Sequence, residues 1–504
     1  DMYEDWDFWL AAAEHGYTGK RIPEPLFHYR RRQGSGYSKS LEKDKEAKAQ
    51  MILNHQLFFS DSQRIWAEGI QRNDPKIMSI PVNEVAFPVF KDDYKKPVVP
   101  PKKKAPENKQ VETKKDGKED STPRRLLMTM YGWTESGGGT TFPRAVAKAL
   151  AKKGFDVSVF FAGGKHPENR EPYYLDRNVE DGVKLFGVYN RPSVFLDAEN
   201  PRREIRDENI VKLFRLVTDE IHPEIIHYHN FLGLSFTIAD IAAERNIRTV
   251  YTPHNYHMID PMLYLFNSDL SLWKNTDIFQ NSDLVKNHPE LHDDFRNRKE
   301  KALELLNNKI ELTIAVSSRQ RDILNEYGAE SGKIAVVNQV HKTAENLKNI
   351  QSPEKDWSLP HRFGFIGGAM PHKGVHMIGL ASQLIKGNVE FHVYGFINEQ
   401  YAQIVKSLDK NGLIQFKGEY KPEDLGAIAG KLNAVIIPSV WEDCAPLVVA
   451  EALAMNLPVI GARIGGIPDF IEENYNGLLY DHDKPEQLAA IINDFAANPQ
   501  MLKS

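Results

Sequence analysis

The stretch "NAVIIPSVWEDCAPLVVAEALAMNLPVIGA" (residues 433–462) decides the fold, because it predicts a strand, a helix and a second strand in succession. Its apolar runs "NAVIIPS" and "LPVIGA" are continuous rather than alternating, which is typical of parallel strands buried on both faces. Pro446 favours a helix start, because proline has no amide to leave unpaired at the first helical position. Asp443 lies just ahead of this helix, and Glu451 lies about two turns inside it.

The same alternation of strand and helix extends in both directions from this stretch. One series begins with "RRLLMTM" (Arg124–Met130) and the helix "TFPRAVAKALAKKG", and continues through "FDVSVFF", "EIIHYHN", "IRTVYTPH", "IELTIAVS" and "KIAVVN". A second series begins near His361 with "HRFGFIGG" and ends with "NGLLY". We therefore predict an α/β protein with two Rossmann-like domains, residues 124–345 and 346–504, which face each other across a cleft. Ligands of such sheets bind at the carboxyl ends of the strands.

The region before these domains has a different character. Residues 1–94 contain "DWDFWLAAAEHGY", with helical spacing, and "LEKDKEAKAQMILNHQLFFSDSQRIWAEGI", which predicts one longer amphipathic helix. Residues 95–123 are rich in lysine, proline and acids and contain no aromatic residue. Such a segment buries too little apolar surface to offset its chain entropy, so we predict a disordered linker.

Composition excludes several classes of function. The 504 residues include 64 basic and 69 acidic side chains, a net charge of -5 that gives no case for a nucleic-acid partner. Cys444 is the single cysteine, so no internal disulfide forms, and a reducing cytosol is favoured. No apolar run reaches the roughly 20 residues of a membrane helix. We expect a cytoplasmic protein without a transmembrane segment, and a peripheral contact with the inner face of a membrane stays open.

The helix that follows Pro446 predicts an anion site. Helical side chains lean toward the N-terminus, so the carboxylates of Asp443 and Glu451 can point to one end of the helix. The amides of Leu447 and Val448 face the same end, where the helix dipole favours an anion. A diphosphate flanked by two hydroxyl-binding acids would fit there. A plain helix cap at Asp443 and an exposed acid at Glu451 are the structural alternatives.

Two loops reinforce this interpretation. Lys373, in "FGFIGGAMPHKGVHMI", lies in a strand-to-helix connection, where a cation is electrostatically disfavoured unless an anion binds. The alternative is a solvent-facing lysine. Gly137, Gly138 and Gly139, in "YGWTESGGGTTFPRAV", form a turn that lets the backbone approach a ligand closely. This turn lacks both the dinucleotide GxGxxG spacing and the lysine–serine ending of a P-loop.

Together these motifs resemble the retaining GT-B glycosyltransferases of family 4, over residues 124–504. The family signature of an acid, seven residues and a glutamate is "DCAPLVVAE" here. The resemblance implies that Glu451 binds the ribose hydroxyls, that Asp443 or the adjacent Glu442 binds the donor sugar, and that Lys373 binds the diphosphate. Gly368 stands where the family often has an arginine. "TVYTPHNYH" resembles the segment with a histidine near the reacting carbon, which implies His254.

The resemblance implies sugar transfer from a UDP- or GDP-sugar to a glycan or lipid-linked glycan, with retention, in polysaccharide or surface-glycan synthesis. His254, Asp443 and Lys373 are the implied catalytic residues, and no cofactor or metal is expected. A non-catalytic nucleotide-sugar-binding module and a GT-B-fold UDP-sugar epimerase are the alternatives. The spacing of His227, His229, His254 and His257 also permits a zinc site. The aromatic stretch Asn255–Trp273 could stack on sugar rings or form buried core.

The first 90 residues carry a second resemblance. "YEDWDFWLAAAEHGYTGKRIPEPLFHYRRRQGSGYS" resembles the closing part of a GT-A glycosyltransferase of family 2, in which an acidic pair matching Glu4 and Asp5 carries the catalytic base. This implies an inactive remnant cut from a longer protein that carries two transferases in tandem. A generic helical extension is the alternative.

Overall fold

The computed structural model describes residues 44–54, 61–72, 74, 124–135, 137–163, 171–189, 191, 197–340, 347 and 360–499. The chain divides into two compact units, residues 1–118 and 119–504. The predicted linker, the helix at "DWDFWLAAAEHGY" and the acidic pair Glu4 and Asp5 lie outside the described residues. The same holds for the predicted domain boundary at residue 345.

The described residues of the first unit form two helices, α1 (Asp44–Asn54) and α2 (Asp61–Gln71). Gln71 Nε2 donates a hydrogen bond to Gln50 Oε1 over 3.2 Å. In one straight helix these residues would lie about 31 Å apart, so the prediction of a single long helix is wrong. Pairing the two helices covers apolar side chains such as Ile52 and Trp66, which an isolated helix leaves in water.

The second unit begins with an eight-stranded sheet in the order β3-β4-β2-β1-β5-β6-β7-β8. Its strands are β1 (Arg125–Met130), β2 (Asp156–Ala162), β3 (Tyr174–Glu180), β4 (Val183–Tyr189), β5 (Ile225–Tyr228), β6 (Arg248–Tyr251), β7 (Leu312–Ala315) and β8 (Ile334–Val336). All neighbours are parallel except β3, which pairs with β4 in an antiparallel hairpin. This hairpin was not predicted from the alternation of strands and helices, although Asp181 and Gly182, both with positive φ, are a strong hairpin-turn signal.

A second sheet has six parallel strands in the order β11-β10-β9-β12-β13-β14. They are β9 (His361–Ile366), β10 (Val389–Tyr394), β11 (Ile414–Gly418), β12 (Ala434–Ile437), β13 (Val459–Ala462) and β14 (Gly477–Tyr480). All four residues of β12 and of β13 are buried, as their continuous apolar sequences predict. The predicted pair of Rossmann-like domains is confirmed.

The connections of both sheets are largely helical. The helices are α3 (Gly138–Lys152), α4 (Pro201–Ile205), α5 (Glu208–Ile221), α6 (Ile238–Glu244), α7 (Ile278–Asn281), α8 (Asp283–Asn287), α9 (His292–Glu304), α10 (Ser318–Tyr327), α11 (Val375–Ser382), α12 (Glu399–Leu408), α13 (Leu425–Gly430), α14 (Leu447–Ala454) and α15 (Pro485–Ala497). None of the helices in the described ranges combines the length and the apolar character needed to cross a membrane.

Both sheets have a topological switch point at their first strand. β1 lies between β2 and β5, and β9 lies between β10 and β12. Successive connections leave such a strand in opposite directions, which opens a crevice at its carboxyl end. The glycine-rich turn follows β1, and the loop of Lys373 follows β9. The loop that carries Asp443 follows β12, the neighbour of β9 in the second sheet. The topology therefore brings the loops of Lys373 and Asp443 to one crevice.

The domain of the eight-stranded sheet (the first domain) and the domain of the six-stranded sheet (the second domain) contact each other beside this crevice. Trp441 and Cys444, from the loop after β12, are buried in the core cluster of the first domain together with Tyr256. At the N-terminus of α10, Arg319 pairs with Glu442 over 2.6 Å. The amide of Ser318 also donates to Asp469 Oδ2 over 2.6 Å. Two acids of the second domain thus hold the positive end of a helix of the first domain.

Gly374 fixes the position of the Lys373 loop. Its φ is +77°, and a Cβ built on it would lie 1.8 Å from the carbonyl oxygen of Pro438 at the end of β12. A residue with a side chain would therefore be strained and would also push the two loops apart.

We predict that Gly374→Ala lowers the free energy of unfolding by about 1–3 kcal/mol, since the left-handed backbone and the steric clash both act against it. Gly368→Ala is the matched control in the same loop, because a Cβ there meets nothing within 4 Å. We expect it to change stability by less than about 1 kcal/mol. Chemical denaturation measures both, and equal stability of the two variants would contradict the argument.

Candidate active site

Lys373 and Asp443 form an ion pair at the centre of the crevice. The ammonium Nζ lies 2.5 Å from Asp443 Oδ2, and the Ser439 hydroxyl donates to the same oxygen over 3.3 Å. Asp443 is 5% exposed, whereas about a third of the Lys373 side chain is exposed. The Lys373 ammonium also lies 5.2 Å from the ring centre of Trp441, which favours a cation. The crevice therefore holds a positive charge that an incoming ligand can reach.

The sequence "GGIP" at residues 465–468 supports Asp443 from behind. Gly465 has a φ of +57°, and a Cβ there would lie 2.2 Å from the carbonyl oxygen of Asp443. The amide of Gly466 donates to that oxygen over 2.7 Å. This close backbone packing fixes the direction in which Asp443 enters the crevice.

The tip of α14 and the glycine-rich turn face each other across the domains. Pro446 has ψ 116°, so α14 begins at Leu447, one residue later than predicted. A Cβ on Gly138 would lie 3.7 Å from Leu447 Cδ1. The first amides of α14, those of Leu447 and Val448, have no acceptor within the helix. Their open end is thus beside the turn of Gly137, Gly138 and Gly139.

Glu451 lies four residues further along α14 and is half-buried. Burial raises the pKa of its carboxyl group. Burial raises the pKa of Tyr420 to about 12, and the negative charge of Glu451 contributes to that shift. The charge of Glu451 is therefore felt at Tyr420, which follows β11 and carries no sequence motif. No described side chain is hydrogen-bonded to the Glu451 carboxylate, which is free to bind hydroxyl groups.

Glu442 and Gly368 have different surroundings from the residues around Lys373. The Glu442 carboxylate pairs with Arg319 of the first domain and accepts a hydrogen bond from the amide of Gly465 over 3.2 Å. Asp443, and not Glu442, is therefore the acid paired with Lys373. Gly368 lies in the loop after β9 with open space where a side chain would be.

His254 lies at the first-domain side of the crevice. Its Nε2 lies 2.9 Å from His229 Nδ1, and its Nδ1 lies 3.2 Å from Gln339 Nε2. A Cβ on Gly139 would lie 3.4 Å from His254 Cβ, so the ring adjoins the glycine-rich turn. Burial lowers the pKa of His254 to about 3. His254 is therefore neutral near pH 7. Gln339, which follows β8, carries no sequence motif and was not predicted.

Three of the four histidines of the zinc alternative, His227, His229 and His254, have neighbouring rings, whereas His257 lies apart from them. His227 Nε2 lies 2.8 Å from the Thr252 hydroxyl, and burial lowers its pKa to about 4. His257 instead lies 3.0 Å from the buried carboxylate of Glu204, which also pairs with Arg298. Within the described ranges, no group of three or more histidine, cysteine, aspartate or glutamate side chains is arranged to hold a metal ion.

The aromatic stretch Asn255–Trp273 divides between core and interface. Tyr256 is 2% exposed and belongs to the first-domain core. Tyr264 and Phe266 stack on His372 of the second domain, with ring centres 5.2 and 5.8 Å apart. The rings of Tyr264 and Phe266 therefore line the contact between the domains beside Lys373. Tyr256 is part of the buried core, which was one of the two alternatives for this stretch.

Sequence comparisons connect both domains to known families. Residues 136–339 match the family described as Glycosyltransferase Family 4, and residues 360–498 match the family described as Glycosyl transferases group 1. The D-inositol 3-phosphate glycosyltransferase of Corynebacterium urealyticum is 23% identical over 388 residues, which cover 73% of this chain and 84% of that protein.

Solved structures give the same fold. Sucrose-phosphate synthase from Thermosynechococcus elongatus has a TM-score of 0.55 and 16% identity, over 75% of this chain and 92% of that chain. The HepE protein of Anabaena in complex with UDP-glucose has a TM-score of 0.50 and 16% identity, with the same two coverages. The arrangement of two parallel-sheet α/β domains is thus that of GT-B glycosyltransferases.

We predict that Lys373→Met lowers the free energy of unfolding by about 1–3 kcal/mol, because the buried Asp443 carboxylate loses its charged partner. The double variant Lys373→Met/Asp443→Asn should recover part of this loss, since the amide carries no charge to bury. Urea denaturation of the three proteins measures the difference. A double variant less stable than Lys373→Met would contradict the pairing.

The lowered histidine pKa values predict an acid-sensitive fold. His227 and His254 stay neutral in the folded chain down to about pH 4 and about pH 3. In the unfolded chain they take up protons below about pH 6.5, so stability falls there by up to about 1.4 kcal/mol per pH unit for each histidine. Above about pH 6.5 these two histidines do not make the folding stability depend on pH.

His227→Asn tests this linkage. The variant should be less stable than wild type at pH 8 because of lost packing, and the difference should narrow as the pH falls from about 6.5 to about 4. Urea denaturation at each pH gives the two curves. A difference that is constant over this range would contradict a neutral, buried His227.

Proposed function

We propose that the GT-B glycosyltransferase formed by residues 136–339 and 360–498 transfers a sugar from a UDP-sugar to a glycan hydroxyl with retention of configuration. The observation that supports the proposal is that three features able to bind an anion lie around one crevice. They are the Lys373 ammonium, the open amides at the tip of α14, and the glycine-rich turn of the first domain.

The donor diphosphate would occupy this crevice. Its phosphate oxygens would take the Lys373 ammonium from Asp443 and accept hydrogen bonds from the amides of Leu447 and Val448. The freed Asp443 carboxylate would then bind hydroxyl groups of the donor sugar. Glu451, without a hydrogen-bonded side-chain partner among the described residues, would bind the two ribose hydroxyls. The ion pair between Lys373 and Asp443 would keep both groups in place until the donor arrives.

Bond breaking would follow from the same charges. The bond between the anomeric carbon and the phosphate oxygen breaks, and the positive Lys373 and helix tip stabilise the departing diphosphate. The acceptor hydroxyl forms its bond to the anomeric carbon on the same face, and its proton passes to the leaving phosphate oxygen. His254 would form the wall of the sugar pocket, because both of its ring nitrogens are already bound to protein groups.

The comparisons support the choice of substrates. HepE was solved with UDP-glucose, which supports a uridine nucleotide as the donor. The Corynebacterium relative is named for an inositol phosphate acceptor, which supports transfer to a hydroxyl group of a polar molecule. Polysaccharide or surface-glycan synthesis fits a family 4 transferase, and we propose it as the setting.

We predict that one or more UDP-sugars raise the melting temperature of the wild-type protein, whereas GDP- and ADP-sugars do so less. A ligand at 100 times its Kd adds about 2.7 kcal/mol of stability. Glu451→Gln should weaken UDP-sugar binding by about 10- to 100-fold, because it loses charge-assisted hydrogen bonds to the ribose. Lys373→Met should abolish the stabilisation. Calorimetric titration with the best donor gives the affinities.

Glu486→Gln is the matched control, since Glu486 is an exposed glutamate at the start of α15, remote in sequence from the site motifs. It should bind the donor like wild type. Unchanged donor binding by both site variants would refute the proposed site. Donor binding without release of UDP in the presence of glycan acceptors would favour the non-catalytic binding module, and interconversion of the sugar would favour the epimerase.

A further inference from the structure

A row of imidazole rings leads from the interior of the first domain to the crevice. His229 is 1% exposed and follows β5, whereas His254 follows the adjacent strand β6. Their rings are stacked, with centres 5.2 Å apart and planes 15° apart. His227 lies behind them, with its ring centre 4.0 Å from that of His229. Because the strands are parallel neighbours, the sheet itself holds the three rings together.

The partners of His254 fix the position of its proton. Gln339 Nε2 can only donate, so His254 Nδ1 is the acceptor of that hydrogen bond. A neutral His254 then carries its proton on Nε2 and donates it to His229 Nδ1 over 2.9 Å. The proton of a neutral His229 is consequently on Nε2, which is buried without a hydrogen-bond partner among the described residues. In the two hydrogen bonds from Gln339 through His254 to His229, each donor thus meets an acceptor.

We propose that His229 and Gln339 are positioning residues that hold His254 as a neutral imidazole protonated at Nε2, with its ring fixed as a wall of the sugar pocket. The inference rests on the proposed sugar transfer for its catalytic meaning, whereas the protonation state is a property of the protein alone. His254 has no nitrogen left to take a proton from the acceptor hydroxyl. That proton is thereby directed to the leaving phosphate.

The groups around His254 favour the neutral form of its ring. Burial is the main cause that lowers the pKa of His254, and the neighbouring His227 adds to it. His229 is itself buried, and His227 and His254 both act to lower its pKa. The side chains of Phe142 and Gln339, which pack on the ring from α3 and from the segment after β8, carry no charge. Among the described residues, no carboxylate contributes to stabilising an imidazolium at this position.

The protonation state is tested by NMR on the full chain labelled with ¹⁵N-histidine, with the His254 signals assigned from their loss in His254→Asn. We expect His254 and His229 to be protonated at Nε2 only, and not to titrate between about pH 6 and about pH 8. A His254 that is protonated at Nδ1, or that titrates in this range, overturns the proposal. This measurement needs no substrate, so it stands even where the proposed transfer fails.

The positioning role is tested by two substitutions of His229 that separate packing from hydrogen bonding. His229→Asn places an acceptor oxygen where Nδ1 lies but loses volume, whereas His229→Phe keeps the ring and loses the acceptor. We expect kcat to fall roughly 10- to 100-fold in His229→Phe, with the donor KM little changed, and to be largely retained in His229→Asn. His222→Asn, at an exposed position after α5, is the control with wild-type kcat.

If His229 acted only by packing, His229→Phe would have a higher kcat than His229→Asn. That order of kcat values would overturn the positioning role of His229. Gln339→Glu gives an independent check, because a carboxylate next to His254 Nδ1 stabilises the imidazolium. Its His254 signals should titrate between about pH 6 and about pH 8, unlike wild type, whereas Gln339→Met should leave the ring neutral. A His254 that stays neutral in Gln339→Glu contradicts the assignment of Gln339 as the group that sets the proton.

Discussion

The ion pair between Lys373 and Asp443 is the interaction on which the site depends. A buried carboxylate is costly to keep ionised without a partner, and a cation near a helix start is disfavoured, by a smaller amount, without an anion. Each group therefore satisfies the other. In the proposed transfer, a diphosphate that carries more negative charge than one carboxylate would replace Asp443 as the partner of the ammonium. Donor recognition would then be an exchange of partners between these two groups.

The fold supplies this pair through backbone contacts. The two residues follow neighbouring strands, β9 and β12, at the switch point of the second sheet. Gly374 and Gly465 let three loops approach within distances that a Cβ would forbid. The chain around Asp443 is thereby held on two sides by backbone atoms, which move less than side chains. The sheet topology determines where the charges meet, and the glycines determine how closely.

The sequence predicted the two α/β domains and the loops that carry the site, because buried parallel strands and the acid–helix–acid pattern are local signals. The loop of Lys373 and the segment from Asp443 to Glu451 were identified from such signals. The hairpin β3–β4 was missed although its Asp181–Gly182 turn is also local. The contacts of Arg319 with Glu442 and of Gln339 with His254 were not predictable, since each joins segments far apart in sequence. The helix pair α1–α2 was misread because a helical pattern shows where apolar faces lie but not where the chain folds back.

The loop after β12 is part of the second domain, but two of its side chains are buried in the core of the first domain. Its packing therefore depends on how closely the two domains approach each other. Asp443 lines the crevice, while the adjacent Cys444 is buried in the core of the first domain. Burial raises the pKa of the Cys444 thiol, so it is inert toward electrophiles in this arrangement. Separation of the domains would withdraw this thiol into water. As the single cysteine of the sequence, it is a natural reporter whose rate of alkylation measures how often the cleft opens.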